Sequence, residues 1–137
     1  MKNLIFPLVI ILFLSISCDN KTIANDCLEQ ETTNLLQVNK TTQSFGIINK
    51  HYSKSVSLKF ILNNNGEKNI NISKVDVSCN CISTKLSSQK LLPKQQQELI
   101  VTINTENRIG YFNKAIYVNS DANNKILLLR IKGEIQK

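Results

Sequence analysis

The chain has 137 residues, with 17 Lys and Arg against 10 Asp and Glu, a net charge of +7, four Cys, one His, one Met and no Trp. One histidine and no nucleophile elbow leave no Ser-His-Asp set, and four glycines form no phosphate-cradling loop. The carboxylates are scattered, without a paired acid and base, so neither enzyme activity nor a cofactor is expected.

The first element is a targeting segment. Met1-Lys2-Asn3 is a short basic start, Leu4 to Leu14 is almost wholly apolar, and Ser15-Ile16-Ser17 supplies small and polar residues before Cys18. That order is a secretory signal. A spanning helix needs about 20 apolar residues, and this run stops sooner, at Asp19-Asn20-Lys21. Leu14-Ser15-Ile16-Ser17-Cys18 resembles the lipobox of bacterial lipoproteins, although Ser15 stands where leucine is usual. The resemblance implies cleavage before Cys18, diacylglycerol on its thiol and fatty acyl chains such as palmitate. Several chains buried at about 0.8 kcal/mol per methylene make a stable anchor. The favoured reading is therefore a lipoprotein, over an ordinary secretory signal with a chance cysteine. It predicts a protein held by its N-terminal lipid in the cell envelope, on the periplasmic side or the cell surface.

Residues 18–34 are polar and unpatterned and read as a flexible tether. Residues 19–31 hold four acidic side chains against Lys21, whereas residues 32–137 hold 15 Lys and Arg against 6 Asp and Glu. An acidic tether thus carries a basic domain. Export and the scatter of the lysines argue against nucleic acid as a partner. A solvated surface is the simplest reading, with attraction to anionic lipid as a weaker one.

From Leu35 the apolar period is two. Val56, Leu58, Phe60 and Leu62 alternate with polar residues. So do Ile70 and Ile72, then Val75 and Val77 after a one-residue shift that suggests a bulge. Leu99, Val101 and Ile103 alternate apart from Ile100; Phe112, Ile116 and Val118 share a parity, as do Leu127, Leu129 and Ile131. Turn signals separate the runs at Asn63–Gly66, Leu92-Pro93-Lys94, Arg108-Ile109-Gly110 and Asn119–Asn124. The pattern predicts an all-β, immunoglobulin-like β-sandwich of about seven to eight strands over 35–137. A signal-peptide helix over 1–17 and the tether over 18–34 precede it. An open barrel is the alternative.

Several local features occur in a fixed order. They are Ser44-Phe45-Gly46-Ile47-Ile48, then Leu62-Asn63-Asn64-Asn65-Gly66, then Val75-Asp76-Val77-Ser78-Cys79-Asn80-Cys81-Ile82-Ser83. Leu92-Pro93, Arg108-Ile109-Gly110-Tyr111-Phe112 and Ile131-Lys132-Gly133-Glu134-Ile135 follow. This series resembles the bacterial family called domain of unknown function 1573, over about residues 36 to 136. The resemblance marks Phe45, Gly46, Asn65, Gly66, Pro93, Gly110 and Gly133. It implies an immunoglobulin-type sandwich related to the Hydin and major-sperm-protein group, and it assigns no biochemical activity. Asn80 stands where the family has Gly between the cysteines, and Asn also tolerates positive φ. Lys94 replaces the Gly after Pro93.

With Cys18 assigned to lipid, Cys27, Cys79 and Cys81 remain, an odd set for an exported protein. Cys79 and Cys81 end a strand two residues apart. As thiolates they would select a soft metal such as Cu(I), but no His, Met or further Cys pattern nearby adds ligands. As a redox dithiol they would need a helix N-terminus or an adjacent cation, and the local sequence offers neither. The favoured reading is a structural or oxidised pair. The protein is thus expected to be a lipid-anchored binding or structural module of the envelope, with a protein or glycan partner. A copper or thiol-redox accessory protein using Cys79 and Cys81 is the alternative.

Overall fold

The computed structural model describes residues 34–137. The expected signal peptide, Cys18, Cys27 and all but the last residue of the expected tether lie outside the described residues. Nine strands follow in order: β1 (Leu36–Val38), β2 (Thr42–Asn49), β3 (Ser55–Asn64), β4 (Ile70–Val77), β5 (Ile82–Leu86), β6 (Lys90–Leu91), β7 (Gln96–Asn104), β8 (Gly110–Ser120) and β9 (Ile126–Gln136). Among the described residues there is no helix. One sheet has the order β1-β3-β7-β5, the other β2-β9-β8-β4-β6. The expected all-β sandwich is present, with nine strands rather than seven to eight. The additional ones are β1 and β6, three and two residues long, too short for a period of two to declare itself.

The alternation explains the core. Phe60 and Leu62 of β3 and Leu99, Val101 and Ile103 of β7 are buried in one cluster with Ile116 and Val118 of β8 and Leu129 and Ile131 of β9. Each such side chain contributes about 1.5–3 kcal/mol through burial. Ile100, which breaks the alternation, is half-buried on the outer face, in register between Lys59 and Lys85. Lysine stems suit that neighbourhood because their methylenes cover apolar surface while the ammonium stays wet. The expected bulge in β4 lies between Ile72 and Lys74, where the pairing with β8 shifts.

The first two strands belong to different sheets. β1 pairs antiparallel with β3, and β2 pairs parallel with β9. The crossing takes few residues: Asn39 N–H still donates to Ile61 O, while Thr41 O already accepts from Arg130 N–H. This segment closes one side of the sandwich. β2 contains a second irregularity between Ser44 and Ile47, at Phe45-Gly46. Gly46 has φ +72° there, a conformation that costs a side-chain-bearing residue about 1–2 kcal/mol.

The chain enters the domain at one end. Asn34 O accepts from Asn123 N–H at 2.8 Å, and the Asn124 side chain bonds both the N–H and the C=O of Leu36. Leu36 is opposite Asn64, at the end of β3. At the other end of β3, Ser55 is opposite Asn104. The ten residues of β3 separate these entry and far ends by about 30 Å at ~3.3 Å per residue.

Candidate functional site

The far end gathers three connections: residues 50–54 between β2 and β3, 78–81 between β4 and β5, and 105–109 between β7 and β8. Thr105 holds two of them together. It is fully buried, its Oγ1 donates to Ser53 O, and its N–H donates to Lys54 O at 3.0 Å. Arg108 N–H bonds back to Thr105 O at 3.1 Å, so the Arg108 backbone is set by that anchor.

β4 ends at Val77, and the Cys-x-Cys segment lies in the turn beyond it rather than on the strand. Ile82 N–H donates to Cys79 O at 3.1 Å, and Asn104 N–H to Cys81 O at 2.9 Å, fixing the turn to β7. Cys79 and Cys81 are bonded to each other, and both pack half-buried against the core. Asn80 does not adopt positive φ; at a non-glycine residue that conformation falls at Lys94 and Lys125. A ring closed over so short a segment removes little chain entropy, about 1.5 kcal/mol, so the sandwich gains little stability from it.

Arg108 Nη2 lies 3.6 Å from Cys79 Sγ. Arg108 is 29 residues from Cys79 in the chain, so the local sequence shows no cation near the cysteines; only the turn geometry joins them. Two open recesses flank the pair. One, of about 250 Å³, is lined by Asn80, Cys81, Asn104, Asn107 and Arg108. The other, of about 340 Å³, reaches from Asn80 and Cys81 to Ser83, Thr102 and Ser55. Large side chains project from the same end: Tyr52 is 92% exposed, Tyr111 72% and Ile109 56%. A further recess, of about 450 Å³, lies elsewhere, between Ser87-Ser88 and Gln95–Gln97, with Lys90 as its ionisable side chain.

Among the described residues, no three His, Cys, Asp or Glu side chains come together as a metal set. His51 is exposed in the loop after β2, its N–H bonded to Asn49 Oδ1.

The residues marked by resemblance fall into two groups. Phe45, Gly46, Gly110 and Gly133 belong to β2, β8 and β9. The Phe45 ring covers Gly133, where a Cβ would come within 2.3 Å of it, and stacks edge-on with Phe112 at 5.7 Å. Asn65, Gly66 and Pro93 lie at the entry end. There the buried asparagine is Asn64, whose Oδ1 accepts from Gly66 N–H at 3.0 Å, while Asn65 is exposed. Asn64 and Gly66 are thus the hydrogen-bonded Asn-x-Gly pair of this turn.

The family model described as protein of unknown function (DUF1573) matches residues 36–135. The chain belongs to this family. No curated protein is significantly similar to it in sequence. Among solved structures, the DUF1573 domain is similar to a protein of unknown function from Porphyromonas gingivalis W83, with TM-score 0.64 and 10% identity over 73% of this chain and 46% of that one. It is also similar to the ASH/PapD-like domain 7 of human CEP192, with TM-score 0.57 and 12% identity over 77% and 87%. A third similarity is to the VesB protease of Vibrio cholerae, with TM-score 0.58 and 12% identity over 77% and 32%. At such identities these similarities show the fold, an immunoglobulin-like, PapD-like sandwich. The chain spans less than half the length of the Porphyromonas protein.

Proposed function

We propose that this DUF1573 protein is a lipid-anchored module of the cell envelope that binds a protein or glycan partner without catalysis. The observation that carries the reading is the polarity of the domain. The chain enters beside Asn123 and Asn124, whereas Tyr52, Ile109 and Tyr111 project at the far end. A tether of 15 residues between Cys18 and Asn34 would join the lipid to the entry end and leave the far end free to face away from it. Loops carried by a rigid sandwich are where binding residues concentrate, and exposed Tyr supplies contact area at low entropic cost.

Intact mass spectrometry of the protein from native membranes tests the anchor. The expected species begins at Cys18 and carries diacylglycerol and acyl chains, and a Cys18→Ser variant leaves the membrane fraction. An unacylated chain that retains residues 1–17 would overturn the reading. Cross-linking from the far-end loops then tests the partner. A photoreactive residue at position 52 is expected to capture an envelope protein or glycan that the same residue at position 125, at the entry end, does not.

A further inference from the structure

The two sulfurs of the Cys79–Cys81 disulfide have unequal surroundings. Two donors point at Cys79 Sγ: Arg108 Nη2 at 3.6 Å and Cys81 N–H at 3.2 Å. Cys81 borders both recesses of the far end, which Asn80 and Asn104 also line. One sulfur is therefore placed to carry negative charge, and the residue that bears the other borders the recesses through which a partner could approach. Thiol–disulfide exchange has the same asymmetry. The attacked sulfur must be reachable, and the departing sulfur leaves faster where its thiolate is stabilised.

We infer that Cys79–Cys81 is an exchangeable redox disulfide, attacked at Cys81 by a protein dithiol, with Cys79 as the departing thiolate beside Arg108. The balance is as follows. One thiol of the dithiol loses its proton, and its sulfur bonds Cys81 Sγ. The Cys79–Cys81 bond breaks, and its electron pair leaves on Cys79. The second thiol of the dithiol, also deprotonated, then attacks its neighbour in the mixed disulfide and releases Cys81, which takes up one proton. The other proton goes to solvent while Cys79 remains a thiolate. The dithiol is oxidised to a disulfide, and the pair is reduced by two electrons. Arg108 is a positioning residue: it touches Cys79, and its guanidinium favours the charged sulfur. The small ring suits this use, since it supplies only a small part of the sandwich's stability. The site stands whether or not Cys18 carries lipid.

The test uses the full chain with dithiothreitol as the dithiol probe. The bond is expected to open in the folded protein, which keeps a cooperative urea transition with a modestly lowered midpoint. The reduced chain is then treated with iodoacetamide from pH 5 to 9, and each cysteine is followed by peptide mass mapping, which separates Cys27 from the pair. Alkylation of Cys79 is expected to rise at lower pH than that of Cys81. Arg108→Gln should move the Cys79 profile upward in pH and slow its alkylation at pH 6 about threefold or more. Arg108→Lys should preserve most of the wild-type profile. Arg108 is exposed, so both variants should keep the wild-type urea midpoint. The inference is overturned if the bond resists dithiothreitol until the chain unfolds, if the Cys79 and Cys81 profiles coincide, or if Arg108→Gln leaves the Cys79 profile in place.

Discussion

The Asn64 side chain is fully buried, and both of its polar atoms are hydrogen-bonded. Nδ2 donates to Lys68 O at 2.8 Å and Leu91 O at 3.0 Å, and Oδ1 accepts from Gly66 N–H. Its backbone joins in, with N–H to Gln95 O and C=O from Lys94 N–H. One residue thus ties the loop after β3 to the segment before β7. Removing it strands buried backbone groups, each costing about 1–3 kcal/mol. Asn64→Ala should lower unfolding stability by roughly 3 kcal/mol in urea titration. In the sequence, Asn63, Asn64 and Asn65 are chemically identical, so composition could mark a turn there but not say which one faces inward; strand register decides that. Lys94 is a different case, legible because it stands where the family has Gly. It follows Pro93 in a turn closed by Gln95 N–H to Leu92 O, and its φ is +60°. Glycine avoids the side-chain clash of that conformation but loses more chain entropy on folding. The first effect is larger, so Lys94→Gly should raise stability by about 0.5–1 kcal/mol. A lower urea midpoint would mean that the bond from Lys94 Nζ to Asn65 O outweighs the strain.

At the scale of elements, the β2–β9–β8 ribbon brings Gly46, Gly133, Phe45 and Phe112 together. The bulge at Phe45-Gly46 turns the Phe45 ring over Gly133, and Phe112 is the cross-strand partner of Gly133 on the other side. An aromatic ring laid over a strand glycine restores the packing that the missing side chain gives up. Gly133→Ala places a methyl in the ring's space, and overpacking of this kind costs about 1–3 kcal/mol. Because one contact is responsible, Gly133→Ala combined with Phe45→Leu should destabilise by less than the sum of the single changes, read as a double-mutant cycle. The longer strands were legible from alternation because each buries one face. The parallel pairing of β2 with β9 was not, since a strand's pattern says which face is apolar and nothing about its neighbour. For the same reason the approach of Arg108 to Cys79, made between two separate turns, had no trace in the local sequence.

For the molecule as a whole, alternation and turn chemistry favoured a two-layer β-sandwich over an open barrel. They did not specify that the Cys-x-Cys turn and the exposed Tyr52 and Tyr111 share the end opposite chain entry, because that depends on strand directions through both sheets. Connectivity has a further effect. β9, the last strand in sequence, lies inside its sheet between β2 and β8 and contributes Leu129, Ile131 and Ile135 to the core. A chain ending at Lys125 should therefore show no cooperative urea transition, whereas one ending at Gln136 should unfold like the full chain. The β2–β9 pairing also joins residues 88 apart, Thr42 with Arg130, and closing so long a segment before any reward is slow. Time enters here. A chain emerging N-terminus first would leave β2 without its partner until residues 126–136 had followed. On the proposed exported route, that order would postpone closure of the sandwich until β9 is available, so the succession of strands would act as a delay.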